Sequence, residues 1–597
     1  MASEVRTDDG KTLKRRKRFM ATHTVICTAP WRTITLAENR YRPCCRIVAG
    51  EYSRFPTTQE ELMAHVNSPF MRELRRQVHA KEIGGTICES CVRSGMNEPE
   101  LYDYRHMADP RLLERIDKTR DAVRRGAEVL NEPPLELGFS FPGVCNIHCK
   151  MCTVHSYSKL GKRRIGNVFL DDAKALLSSV GFENVATLRI GGGEPLFNPA
   201  TLEMMEYAAE RMHPETVLST GTNGKELARR IDLLKRFPNL DMNISVDAVG
   251  SAYETIRVGI AWETILENLR LVSETARNFP NWHITTRTVL MRTSLPSLPE
   301  LVGLFLDHGF KPLFAPIFGD FYDENIYWYS GLLADMDWKA HFAEAIAVAK
   351  SRGSDGVAGE LAFRLAELRR QIEKGDYGYY RASPTQFRRF ADWCERHFAG
   401  KRIALFGMTE EIGYFLHYYH SVKTSFTIGA IALLEDIPAQ VTGVLGIDRV
   451  PPETLADWQG PILVSCDSRS FGRYMDYARD TYPMDRVAVL SSDTVEADVP
   501  GVLERVGDAP VVLFGAGGFS AMLLRSTHLS RANIVAFSDN DKAKWGTRFE
   551  GKPVVAPALI PEVARDVIVC SRAYEYDIAR SLQNAHGDRL AVHTLFS

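Results

Sequence analysis

The chain has little that would mark a membrane, secreted or nucleic-acid-binding protein. No apolar run reaches the roughly 18 residues that a membrane-spanning helix needs. The opening stretch, Met1 to Phe19, lacks the apolar core of a secretory signal. An excess of either charge is missing too. Lys and Arg number 73 and Asp and Glu 75, a net charge of −2, so no whole-chain attraction to nucleic acid is expected. The one basic run, Lys11 to Arg18, reads as a solvated tail. Cysteine is scarce, 11 in 597 residues, and eight of the 11 fall before residue 153. A disulfide framework would not cluster in this way. Metal binding in a reducing compartment fits the distribution, and a cytoplasmic protein is expected. The length exceeds what one core can serve, so several domains are expected.

What is present is concentrated in Phe141-Pro-Gly-Val-Cys145-Asn-Ile-His-Cys149-Lys-Met-Cys152. Three cysteines, spaced by three residues and then two, follow an apolar run that reads as a strand. A loop of this length can wrap three thiolates around one face of an iron–sulfur cube and leave the fourth iron without a protein ligand. Zinc also takes closely spaced cysteines, so spacing alone leaves both metals open.

Cys145-x3-Cys149-x2-Cys152 after one strand, then Ile190-Gly-Gly-Gly-Glu194-Pro195 after the next, resembles the radical S-adenosylmethionine (SAM) superfamily. Met151 stands where that family often has an aromatic residue. The resemblance implies an enzyme. Its [4Fe–4S] cluster, held by Cys145, Cys149 and Cys152, binds SAM and cleaves it reductively to a 5′-deoxyadenosyl radical that abstracts hydrogen from substrate. It also implies SAM contacts at Gly192, Gly193, Glu194, Asn223, Ser245, Asp247 and Arg257, and an electron donor such as flavodoxin or ferredoxin.

From Leu135 to about Asp320 strand and helix patterns alternate. Strands are expected at Leu135–Phe141, Ala186–Gly191, Thr216–Thr220, Asp241–Val246, Trp282–Leu290 and Pro312–Ile317. Six β/α units give an α/β fold, a partial (β/α)6 TIM-like barrel with active groups at the C-terminal strand ends. Upstream lie Cys27, the pair Cys44–Cys45, and Cys88-x2-Cys91. The order resembles the SPASM/twitch modules of radical SAM enzymes. It implies an auxiliary Fe–S cluster on Cys27, Cys45, Cys88 and Cys91, with Cys44 an alternative to Cys45 and a structural zinc site an alternative to the cluster.

Downstream, Arg402-Ile-Ala-Leu-Phe406-Gly407 recurs as Pro510-Val-Val-Leu-Phe514-Gly515, which reads as an internal repeat of two small Rossmann-like units. The second has Gly515-Ala-Gly517-Gly518 and an acidic strand end at Asp539, a layout suited to a nucleotide-linked group, though Ser520 replaces the third glycine. Cys394, Cys466 and Cys570 read as buried small hydrophobes. Tyr377 to Tyr380 reads as core aromatics.

The expected organisation is a basic tail (1–23), a SPASM/twitch-like Fe–S module (24–100), a helical connector (101–133), the barrel (134–325), a second helical connector (326–399) and two Rossmann-like units (400–504 and 505–597). The appended pair favours a sugar, nucleotide-sugar or glycan substrate. A peptide or protein substrate is the alternative, and a non-catalytic Fe–S redox sensor is a third reading. No membrane span and no nucleic-acid partner are expected.

Overall fold

The computed structural model describes residues 25–595, except 38–39, 45–46, 48, 52–53, 84–87, 89–90, 93–97, 99–103, 105, 142–143, 153–168, 318, 320, 377–392, 421–422, 466–469, 490–498 and 571–574. The expected basic tail, Cys45, Cys466 and the run Tyr377 to Tyr380 lie outside the described residues. The chain forms two compact units, one of residues 1–327 and 333–383, the other of residues 328–332 and 384–597. The expected second connector, 326–399, is therefore shared between the two.

The first unit is built on a mostly parallel α/β sheet. Its strands are β1 (Thr33–Ala37), β2 (Arg40–Arg42), β3 (Gly50–Glu51), β4 (Glu136–Ser140), β6 (Thr187–Gly191), β7 (Val217–Thr222), β8 (Asn239–Ser245), β10 (Asn281–Leu290) and β11 (Lys311–Pro316). A separate two-stranded ribbon pairs β5 (His148–Cys149) with β9 (Arg257–Val258). The nine strands lie in the order β11-β10-β8-β7-β6-β4-β1-β2-β3. All six expected barrel strands are present. The sheet does not stop at six, however: β1, from the segment expected as a separate module, pairs in parallel with β4 from Thr33↔Glu136 to Ala37↔Ser140. Only β2 and β3 run antiparallel to their neighbours.

Alternation along the strands decides which face is which. On β8, Leu240, Met242 and Ile244 are buried, while Asp241, Asn243 and Ser245 are half-buried. On β10, Trp282, Ile284, Thr286 and Thr288 are buried, while His283 and Arg287 are exposed. Register places Arg189, Ser219, Asp241 and His283 side by side on one level, with Gly221, Asn243 and Thr285 on the next. The face of the sheet that carries these residues, taken as the inner one, is thus polar and only partly buried.

Helices begin where the local chemistry supplies caps. Asn198 and Asp109 accept backbone N–H groups at the starts of Pro199–Arg211 and Pro110–Arg125, each with proline in its first turn. Arg75, on helix Pro69–Ala80, is fully buried and donates to the carbonyls of Pro30, Val66 and Glu128 at 2.7–2.9 Å, which knits the N-terminal segments together. Helix Asp355–Lys374 covers the free edge of β11. Glu360 accepts the Phe314 N–H at 2.9 Å and Arg364 donates to the Phe314 carbonyl at 3.0 Å. Two side chains one turn apart so satisfy backbone groups that an edge strand otherwise leaves unpaired.

The second unit contains two mostly parallel sheets, the larger one closed at one edge by the short antiparallel strand Arg548–Phe549. In one, β12 (Arg402–Phe406) lies between β13 (Thr427–Ala432) and β16 (Ile462–Val464), with β17 (Val487–Val489) outside β16. In the other, β18 (Val511–Phe514) lies between β19 (Ile534–Ser538) and β22 (Asp566–Val569), with β23 (Ala591–Thr594) outside β22 and β21 (Lys552–Val555) outside β19. The first strand of each half is central and flanked by equivalent partners, so the sequence repeat has a counterpart in strand order. Cys394 and Cys570 are buried.

Candidate active site and metal centres

The loop after β4 carries Cys145, Cys149 and Cys152, all half-buried. Three contacts fix it. The Glu194 N–H donates to the Val144 carbonyl at 2.7 Å. Cys149 pairs with Arg257 in the β5–β9 ribbon, and the Lys150 N–H donates to the Ile256 carbonyl at 2.7 Å. The glycines after β6 press directly on the loop. A Cβ on Gly192 would stand 1.9 Å from the Phe141 carbonyl oxygen, and one on Gly193 2.2 Å from that of Val144. Both glycines also have positive φ, +121° and +58°.

Two N–H donors face the sulfurs. Arg257 Nη1 lies 3.4 Å from Cys149 Sγ, and Asn223 Nδ2 lies 3.8 Å from Cys145 Sγ. Arg257 is held in turn by Asp247, whose Oδ2 accepts its Nε at 2.6 Å and whose Oδ1 accepts the Val289 N–H at 2.7 Å. Burial pushes the Cys149 thiol up to about 11, against the pull of Arg257, and raises that of Cys145 as well. The donor set suits a bound cluster: three thiols on one loop, with cationic and amide donors that stabilise anionic sulfur once metal displaces the protons.

Glu194 and Asp247 are not free carboxylates. Glu194 is 1% exposed, and its oxygens accept from the Thr222 hydroxyl at 2.6 Å, the Asn223 N–H at 2.6 Å and the Leu196 N–H at 3.1 Å. Burial raises its pKa, and these hydrogen bonds oppose the rise. Asp247 is spent on Arg257. Ser245 lies on the open inner face at the end of β8.

The second cysteine set lines one cavity of about 340 Å³. Cys27, Cys44, Cys88 and Cys91 all border it, together with Arg32, Arg42 and two residues of the barrel's inner face, Ser140 and Arg189. Beneath it Glu136, fully buried, pairs with Arg32 and with Arg189 Nη2 at 2.9 Å and accepts from Tyr104 at 3.1 Å. Among the described residues, no three His, Cys, Asp or Glu side chains converge closely enough to hold a single metal ion.

In the second unit, the turn after β18 has Gly515 at φ +115°, where a Cβ would stand 2.9 Å from the Cys570 carbonyl oxygen. No atom lies within 4 Å of where one on Gly517 would stand. Asp539, expected at a nucleotide site, accepts from the Ala516 N–H at 2.9 Å and from Lys544 Nζ at 2.7 Å. A larger cavity in this unit, about 910 Å³, lies at the opposite, N-terminal ends of β12, β16 and β17 and contains none of these residues.

Sequence reasoning missed Lys150, Glu324 and Asp241. Lys150 Nζ lies 2.8 Å from Glu324 Oε1, and its place between two cysteines of the loop was the available signal. No sequence signal marked the other two.

The model of the radical SAM superfamily matches residues 139–301, and a model described as C2185-like, N-terminal, matches residues 507–589. Mycofactocin maturase MftC of Mycobacterium tuberculosis is 25% identical over 202 residues, 34% of this chain and 46% of that protein. GTP 3′,8-cyclase of Haemophilus ducreyi is 34% identical over 116 residues, 19% of this chain and 33% of that protein. The chain thus spans under half the length of either relative. Streptococcus suis SuiB bound to S-adenosylmethionine matches with a TM-score of 0.27 at 14% identity, covering 49% of this chain and 62% of SuiB. No helix among the described residues is long and apolar enough to cross a membrane. With its three-cysteine loop at the mouth of a mostly parallel sheet, the chain carries a radical SAM superfamily domain.

Proposed function

We propose that the chain is a radical SAM enzyme whose catalytic [4Fe–4S] cluster is held by Cys145, Cys149 and Cys152. A second Fe–S cluster is proposed on Cys27, Cys88, Cys91 and one of Cys44 and Cys45. When bound at the first site, the cluster and SAM supply a 5′-deoxyadenosyl radical able to take hydrogen from a substrate. The observation that carries the reading is the pair of donors on the cysteine sulfurs, Arg257 on Cys149 and Asn223 on Cys145. Asp247 aims the guanidinium, and Glu194 ties the Asn223 backbone to the glycine turn. In this reading both carboxylates position neighbours. SAM contact is left to the backbone of Gly192 and Gly193, to Ser245 and to the remaining donors of Arg257.

The auxiliary cluster is supported by the shared cavity of the four cysteines. Cys44 borders that cavity and Cys45 lies outside the described residues, so either can be the fourth ligand. A polar inner face, with Arg189, Asp241, Asn243 and Thr285, favours a polar small molecule such as a sugar or nucleotide sugar. A peptide is the second reading, favoured by the maturase name of one relative. A flavodoxin or ferredoxin is the proposed electron donor, and the cytoplasm the proposed compartment. The turn at Gly515 and Gly517 is the proposed site for a nucleotide-linked group, with Asp539 bracing it. Gly517→Asp should weaken binding of UDP-glucose, used as probe; unchanged affinity would make the turn structural.

The test is anaerobic reconstitution. The protein should hold about eight irons per chain, and about four after Cys145, Cys149 and Cys152 are replaced together. Reduced with dithionite and given SAM, it should release 5′-deoxyadenosine, and Cys88→Ala should lose auxiliary iron while keeping that release. A fully loaded, reduced protein that releases none is a sensor, not an enzyme. Zinc in the second set would overturn the auxiliary cluster alone.

A further inference from the structure

Strands β4 and β11 stand apart in the sheet, with β6, β7, β8 and β10 between them. The loops that follow them nevertheless meet. Lys150, between Cys149 and Cys152, places its Nζ 2.8 Å from Glu324 Oε1 and 2.7 Å from Asp323 Oδ2, beyond the end of β11. Asp323 is exposed, but Glu324 is 1% exposed and rigidly held. Its Oε1 also accepts from the Thr293 hydroxyl at 2.6 Å, and its Oε2 accepts from the Thr293 N–H at 2.9 Å. Its own carbonyl accepts the Arg292 N–H at 3.0 Å. Thr293 and Arg292 follow β10. One buried carboxylate therefore gathers the ends of β10 and β11 and, through Lys150, the cysteine loop.

The backbone of Lys150 is pinned as well, its N–H donating to the Ile256 carbonyl at 2.7 Å beside Arg257. Residue 150 is thus gripped on two sides, by the Arg257 ribbon through its backbone and by the far rim of the sheet through its side chain. A lysine on a surface loop gains little from an exposed ion pair. A pair anchored on a buried, fully hydrogen-bonded carboxylate is different, because the anchor cannot move to follow a drifting loop.

We propose that Lys150 and Glu324 form a clasp across the mouth of the parallel sheet that sets the Cys149–Cys152 span for SAM binding. Lys150 is a positioning residue: it touches no proposed ligand. The proposal rests on reading the three-cysteine loop as the SAM-binding centre. A loop freed at residue 150 keeps its three sulfurs but loses the single orientation in which Arg257 and Asn223 address them. Misplacement of a binding loop by even about 1 Å costs affinity and rate disproportionately.

The experiment uses the full chain, reconstituted with iron, with SAM affinity read from the SAM-induced change in the electron paramagnetic resonance spectrum of the reduced cluster. Lys150→Met should keep its full iron content and bind SAM about tenfold more weakly. It should fold, because Thr293 still supplies Glu324 with two donors. Lys150→Arg should restore the affinity to within about threefold of wild type, since a guanidinium can reach the same carboxylate. Glu324→Gln should resemble Lys150→Met, and the double variant should be no worse than either single one. Wild-type affinity in Lys150→Met, no recovery in Lys150→Arg, or additive losses in the double variant would each overturn the clasp alone. Wild-type protein that loads its iron but shows no SAM-dependent spectral change would overturn the underlying reading and the clasp with it.

Discussion

Two glycine turns in this chain look alike in sequence and differ in what their glycines meet. After β6, Gly192 and Gly193 are pressed against the backbone of the cysteine loop, so closely that any side chain would overlap a carbonyl oxygen. After β18, Gly517 faces open space. Each turn is accompanied by a carboxylate folded back onto backbone N–H groups, Glu194 onto those of Leu196 and Asn223, Asp539 onto that of Ala516. Glycine after a strand therefore has two separable uses: to let two loops touch, or to leave room for something else. Glycine spacing alone does not tell them apart.

Substitution at the tight turn should have the largest effect. Gly192→Ala combines a backbone clash with a left-handed φ and should destabilise the first unit by roughly 3 kcal/mol, with loss of cluster iron, as read by thermal unfolding and iron assay. Carboxylate removal comes next. Glu194→Ala strands three donors in a fully buried place and should cost roughly 2–3 kcal/mol, whereas Asp539→Ala, at a half-buried site, should cost about 1 kcal/mol by the same measurement. Equal losses at the two carboxylates would erase the distinction. Gly517→Ala should change stability by no more than roughly 0.5 kcal/mol. A large loss there would mean that its space is needed for packing after all.

The smallest effect should lie deeper in the barrel, at Asp241, whose one hydrogen bond among those described is from the Ser219 hydroxyl at 3.5 Å. Burial raises its pKa above the ordinary 3.8, while Arg189 and His283 pull the other way. A raised native pKa means that the folded state holds the proton more tightly. Stability from this group is therefore gained as pH falls through the native value towards 3.8 and lost as pH rises. The melting temperature of wild type minus that of Asp241→Asn should fall as pH rises above about 4. A flat difference would show that the carboxylate is as well solvated folded as unfolded.

Much of the sheet was legible because β8, β10 and β11 alternate between buried and more exposed positions, so the period announces both strand and face. The six barrel strands lie within two residues of their expected limits. β1 escaped because five residues, Thr-Ile-Thr-Leu-Ala, carry too little pattern to say which sheet they join, and their partner lies about a hundred residues downstream. The three cysteines are close in sequence, so their grouping could be read directly. The uses of Glu194 and Asp247 could not, because their donors come from distant strands. A carboxylate beside a proposed ligand site looks available until Thr222, Asn223 and Arg257 are folded against it. Lys150 looked like an ordinary loop lysine for the same reason, its partner being 174 residues away.

The place of β1 in the sheet also bears on how the protein is made. Thr33–Ala37 leaves the ribosome long before Glu136–Ser140, so the edge of β1 that does not face β2 must wait, unpaired, for about a hundred residues of synthesis before its partner exists. During that interval β1, β2 and β3 can form only a short antiparallel ribbon. Once β4 arrives, it gains neighbours on both sides and Glu136 is sealed between two arginines. A truncation that begins at the barrel, after residue 133, would leave β4 as a bare edge, with a carboxylate stripped of one counter-charge and a row of backbone groups open to pairing with another chain.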